Sequence, residues 1–236
     1  YAQRIATVVL PAYRRLHAYL ETEYLPDARA SIGLSELPNG ASWYAYLVRY
    51  YTSTSMTPEQ VHELGLAEVA RIRAEMERVK DQLGHAGDLR SFFDALRADP
   101  RFYYKEPAEL VAGYGAIRQR VTSALPLLFA VKPEASFEIR PVEAFRAPSE
   151  AAASYTPGSA DGKRPGVFYG NTSDLPARTS TRVTALYLHE GIPGHHLQGS
   201  LAQEARVLPP LLRFSWNVGY GEGWALYAEQ LGHEMG

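Results

Sequence analysis

Three histidines and a glutamate crowd into His189-Glu190-Gly191-Ile192-Pro193-Gly194-His195-His196, in a chain that has 7 histidines altogether. Imidazoles and carboxylates at this density suit the binding of a divalent cation and the movement of a proton beside it. The common helical version sets two histidines one turn apart, at i and i+4, with a glutamate directly after the first. Here that position is Pro193, so the usual spacing is absent. Proline has no amide hydrogen and clashes with the preceding turn, while Gly191 and Gly194 tolerate unusual backbone angles, so the helix is expected to break. On an unbroken helix His196 would share the face of His189 but lie about 10 Å along the axis. An expansion between Glu190 and the second ligand would instead return His195 to within one turn of His189. The reading takes His189 as a ligand, Glu190 as the general base and His195 as the second ligand, with His196 as the alternative.

The third ligand is sought in Gly219-Tyr220-Gly221-Glu222-Gly223-Trp224-Ala225-Leu226-Tyr227-Ala228-Glu229. A helix beginning near Glu222 would put its carboxylate in the first turn, between small neighbours that leave room for a metal. Two histidines and a downstream glutamate form a catalytic zinc set with a fourth position left for water, which makes Zn2+ the expected cofactor. A helix-dipole partner is the plainer role for Glu222. Glu229 lies two turns further on, about 10 Å away, where it could accept the spare imidazole hydrogen of a ligand. His233 could form a helical side-chain pair with Glu229 or serve a second metal site, the structural role being preferred, and Trp224, Tyr227 and Leu231 read as a core-facing stripe.

The elements that position these residues follow from periodicity and punctuation. Apolar residues at helical spacing fill residues 1 to 25, with a kink expected at Pro11. Thr57-Pro58-Glu59-Gln60 is a capping box opening a long helix that runs to Gly84. Ser91 to Ala98 and Pro107 to Phe129 also read as helices, the second ending near Pro126. Between 131 and 179 proline and glycine become frequent, and Phe137 to Val142 and Val167 to Tyr169 favour a small sheet or hairpin. Ser180 then opens a helix leading into the histidines. The fold class is mainly α, with a small β element upstream of the metal-binding helix. Residues 1–236 are read as one catalytic-core lobe: a helical scaffold over 1–130, a β and loop segment over 131–179, and metal-binding helices over 180–236.

Composition narrows the partners. With 24 basic against 26 acidic residues and no long single-sign run, the chain has no electrostatic footprint for nucleic acid. No stretch is apolar for long enough to span a membrane. The absence of cysteine removes thiolate nucleophiles and cysteine-ligated zinc. A peptide or small amide substrate is expected. The strand-like run Val167 to Tyr169 could pair with an extended peptide, with Tyr169 and Asn171 beside it and Tyr220 as an oxyanion donor. The chain starts without Met and stops after a helical run, so it is expected to be part of a longer protein.

The segments YLHEGIPGHHLQ and GYGEGWALYAEQLGHE resemble the bacterial metallopeptidase-like family known as domain of unknown function 885. The likeness extends through LPNGASWYAYLVRYYTSTSMTPEQVHELGLAEVARIRAEM and VFYGNTSDLPARTS, and so covers most of the chain. It implies a predominantly helical zinc-peptidase fold of the glutamate-ligated (gluzincin) class, in longer proteins that are often exported as periplasmic proteins or lipoproteins. It also implies metal-site roles for His189, Glu190 and Glu222. It supplies no substrate. Two rivals share these residues: a metal-dependent hydrolase of a non-peptide amide or ester, and a non-catalytic scaffold with a closed, four-ligand metal site.

Overall fold

The computed structural model describes residues 1–236 and is mainly helical, with one three-stranded sheet. The chain divides into two compact units, Tyr1–Tyr50 with Thr54–Val61, and Tyr51–Ser53 with His62–Gly236.

In the first unit, α1 (Ala2–Arg4) and α2 (Leu10–Tyr19) are joined by a π turn over Ile5–Val9, and a second π turn follows over Leu20–Tyr24. Leu10 donates its amide to Ile5 O, so the hydrogen-bond ladder has already widened when it reaches Pro11. The proline is thus accommodated by a π turn on its N-terminal side. Gly40 opens α3 (Gly40–Thr52), where a Cβ would lie only 1.9 Å from Leu34 O.

Helix α4 (Pro58–Gln82) opens on the expected capping box: Gln60 N donates to Thr57 Oγ1 at 3.2 Å, and Thr57 N donates to Gln60 Oε1 at 2.9 Å. In the second unit, α5 (Leu89–Ala98) is capped by Asp88, which accepts from Ser91 N at 2.8 Å. Helix α6 (Pro107–Ala124) gives way to a 3-10 turn over Leu125–Leu127, around Pro126.

The β segment is a mixed sheet of β1 (Phe137–Pro141), β2 (Ala153–Thr156) and β3 (Gly166–Gly170) in the order β1-β3-β2. Strand β3 runs parallel to β1 and antiparallel to β2. This overturns the expectation that Val167 to Tyr169 would receive an extended peptide. Both edges of β3 are already paired, and the open edges belong to β1 and β2.

Four helices complete the unit: α7 (Ser180–Glu190), α8 (His195–Glu204), α9 (Pro210–Phe214) and α10 (Val218–Glu234). Val183, Tyr187 and Leu188 of α7 are buried against Leu110, Tyr114 and Val121 of α6 and Phe137 and Phe168 of the sheet. Removing such side chains from water is the main source of stability for the layer beneath the histidines. On the other side of α7, Gly232 lets α10 approach so closely that a Cβ there would sit 2.6 Å from Leu188 Cδ1.

Helix α10 also starts earlier than expected. Asn217 is its cap, accepting from Tyr220 N at 2.9 Å, so Glu222 stands in the second turn rather than the first. Gly221 does not interrupt the helix. It seats the Trp216 ring, whose Cη2 would lie 2.3 Å from an added Cβ.

The break between α7 and α8 yields a direct prediction. A Cβ at Gly194 would lie 1.8 Å from His189 O and 2.3 Å from Leu188 O, both backbone atoms, whereas one at Gly199 within α8 meets nothing within 4 Å. Gly194→Ala should therefore cost more than about 2 kcal/mol, while Gly199→Ala should be neutral or stabilise by up to about 1 kcal/mol through helix propensity. Thermal melts of the two variants check this, at about 2–4 °C per kcal/mol.

Candidate metal centre

Helix α7 ends because Gly191 leaves helical geometry, with φ −96 and ψ −122, after donating its amide to Tyr187 O at 2.8 Å. The Ile192–Pro193 peptide is cis. The chain re-enters a helix at Gly194, with His196 N donating to Gly191 O at 3.1 Å. Trp224 of α10 donates its indole N–H to Pro193 O at 2.8 Å, satisfying a turn carbonyl and tying the turn to α10. His189 thus closes one helix and His195 opens the next.

His189, His195 and Glu222 converge, with their donor atoms within 4.8 Å of one another. His189 Nε2 lies 3.3 Å from Glu222 Oε2, and His195 Nε2 lies 3.7 Å from the same oxygen. The two rings meet edge to face, at 4.8 Å between centroids and 86° between planes. Zinc bonds of about 2.0–2.1 Å at tetrahedral angles set donor separations of about 3.3–3.4 Å. The His189–Glu222 pair matches that spacing, the set as a whole is somewhat wider, and its N, N, O donor chemistry suits such an ion. Burial holds the His195 imidazole below its usual pKa, with the neighbouring His189 acting in the same direction, so its lone pair stays available.

The support around the two imidazoles is unequal. Glu229 Oε1 lies 2.9 Å from His189 Nδ1, so one ring reaches carboxylates two turns apart on α10. This contact orients the ring and fixes which nitrogen faces the cluster. His195 Nδ1 is buried without a hydrogen-bond partner. The His195 ring instead packs against Trp216, 5.4 Å between centroids.

Glu190 borders the same open cleft of about 1300 Å³ as the three donors. Burial pushes its carboxyl above the usual value, opposed by the His189 charge and reinforced by that of Glu222. A carboxylate raised in this way is a better proton acceptor near neutrality.

Of the remaining candidates, all but Tyr220 fall elsewhere. His196 is only 2% exposed and points away from the cluster: Tyr155 Oη is 2.8 Å from its Nδ1, Ser200 Oγ is 3.4 Å away, and its ring lies 4.4 Å from that of Phe137. Burial drives its pKa down to about 4, which keeps it neutral. Asn171, 1% exposed, donates its amide to Ala147 O and Glu150 O and accepts from Ser173 N, so its polar groups are spent on the corner after β3. Tyr169 lies under the Arg146 guanidinium, 4.8 Å from ring centroid to Cζ, and does not border the cleft. Tyr220 does border it and is exposed.

Several cleft residues escaped the sequence reading. Trp224, read there as part of a core stripe, borders the cleft and holds Pro193. Tyr155, Trp216 and Arg213 carried no local signal, because strand edges and short helices bring them in from distant positions. Only the density of aromatic residues around 214–227 hinted at a lined pocket.

The full chain, residues 1–236, matches the family described as bacterial protein of unknown function (DUF885). The chain belongs to that family. No curated protein matches this DUF885 chain. Among solved structures it is similar to the crystal structure of a candidate lipoprotein from Colwellia psychrerythraea, at 30% identity over 99% of the present chain and a TM-score of 0.94. This DUF885 chain spans 41% of the length of that relative. No helix is long and apolar enough to cross a membrane.

The geometry predicts an order of metal loss. Replacing His189, His195 or Glu222 with Ala should each abolish stoichiometric zinc binding, whereas His196→Ala should leave the stoichiometry intact and cost about 2–4 kcal/mol of stability through its buried cavity. Glu229→Ala should weaken zinc affinity about 10- to 100-fold. Elemental analysis and chelator competition on the full-length protein measure both effects.

Proposed function

We propose that this chain carries the active centre of a zinc-dependent peptidase. The observation that carries the reading is the convergence of His189, His195 and Glu222 beside the partly buried carboxylate of Glu190, on the wall of a large cleft. His189, His195 and Glu222 would hold the ion, with three protein donors where zinc takes four ligands. A zinc ion bound there would supply Lewis-acid polarisation of a substrate carbonyl and acidify a water molecule.

The protein's own groups account for the rest. A Glu190 carboxylate oxygen accepts the proton of the attacking water and delivers it to the leaving nitrogen, which departs as an amine. Ser154, Tyr155 and Pro157 bring the open edge of β2 to the cleft, where an extended peptide could add as a further strand. Tyr220 stands on the opposite helix, available as a donor to developing negative charge. The likeness to a candidate lipoprotein supports an exported setting for this activity.

The test is a mixed peptide library incubated with the full-length protein and read by mass spectrometry, alongside Glu190→Gln and a chelated control. Wild type should cleave, and Glu190→Gln should keep its zinc and lose about 10²- to 10⁴-fold in rate. Cleavage that survives the substitution removes Glu190 as the base. Zinc binding with hydrolysis of other amides or esters, but of no peptide, replaces the peptidase reading with the broader hydrolase.

A further inference from the structure

We infer that Arg213 is the anion clamp of the cleft, selecting peptides that present a carboxylate about three to four residues beyond the scissile bond. This rests on the peptidase reading and adds a substrate class to it.

Apart from the two histidines of the metal cluster, Arg213 is the one cationic side chain bordering the cleft. No carboxylate pairs with it. Its Nε donates to Gln203 O at 3.1 Å, its Nη2 donates to the same carbonyl, and its guanidinium lies 4.9 Å from the centroid of the Phe214 ring. Two of its five N–H groups are thereby used to fix the fork, and the others remain for a ligand. Leu208, Leu212 and Phe214 share this part of the wall, and an apolar lining strengthens whatever ion pair forms there. A guanidinium held in this way is suited to a two-point contact with a carboxylate.

Helix α8 acts as a ruler between the two ends of the cleft. His195 is its first residue and Gln203, which anchors Arg213, lies near its end. At about 1.5 Å per residue, that stretch is about 12 Å long. An extended peptide advances about 3.3 Å per residue, so the same span takes three to four residues. The cleft is also polarised, with Glu190 and Glu222 at the metal end and Arg213 at the other. A peptide lying along α8 therefore places its negative end toward Arg213. That negative group is either the terminal carboxylate or an acidic side chain.

The test uses full-length protein in which Glu190→Gln prevents turnover, and reads binding through the fluorescence of Trp216 and Trp224, which border the cleft. The probes are one peptide series of fixed sequence, ending as a free acid, as an amide, or as an amide with Asp three or four residues beyond the cleavage site. Amidation should weaken binding about 10- to 100-fold, the loss expected for a charge-assisted pair. Adding Arg213→Gln should remove that difference while leaving the amide's own affinity within about twofold, and Arg213→Lys should restore part of it. Recovery with the internal Asp identifies any carboxylate at that distance as the ligand, and no recovery assigns the clamp to the chain terminus. Equal binding of acid and amide, or equal weakening of both by Arg213→Gln, overturns the proposal. The two readings fail separately. Discrimination without cleavage by the unsubstituted protein removes the peptidase and keeps the clamp, whereas cleavage without discrimination removes the clamp alone.

Discussion

A helix that stops and restarts between Glu190 and His195, pressed against a neighbouring helix, is the constraint from which the rest of the centre follows. An uninterrupted helix would carry His195 round to a face where it could not meet His189. The interruption alone would be loose, since it exposes carbonyls that no longer have helical partners. Trp224 closes one of them, Gly191 and Gly194 supply backbone room, and the absent side chain of Gly232 lets α10 come close enough to deliver Glu222 and Glu229. Each device is small. Together they bring His189, His195 and Glu222 to one junction.

The sheet contributes through one residue. Tyr155 sets its hydroxyl 2.8 Å from His196 Nδ1 on α8 and borders the cleft with Glu190 of α7, so β2 meets both halves of the interrupted helix. This explains a histidine that belongs to the cluster in sequence and not in space. His196 is a buried polar anchor, and its neighbour in the chain, turned by one helical step, faces the cleft.

How much of this was legible in the sequence depended on the range of the interactions. The capping box at Thr57, the helix from Ser180, the β character around 137 and 167, and the break at Pro193 all rest on neighbours within a few residues, and each has its counterpart in the structure. Strand order does not. Nothing in Val167 to Tyr169 reveals that β3 is the middle strand, because that is set by β1 and β2 arriving from elsewhere. The start of α10 was misjudged for a related reason: Gly219 and Gly221 look like interruptions until Trp216 and the backbone of Tyr51 are seen to fill the space beside them. Asn171 had the residue type of a ligand contact, but its neighbours claim every polar atom it has. Arg213 was silent, since a cation acquires meaning only from the cavity it faces.

The uneven support of the two imidazoles has a consequence for the electronic character of the centre. Glu229 draws on the far N–H of the His189 ring and leaves its near nitrogen richer in electron density, while the His195 ring has an indole packed beside it and an unbonded Nδ1. An ion seated between them would feel a strong donor on one flank and a weaker one on the other. Of the two imidazoles, His189 is thus held by carboxylates at both nitrogens and His195 is the less constrained. Because the Trp216 ring packs beside it, the less constrained imidazole is also the more sheltered of the two.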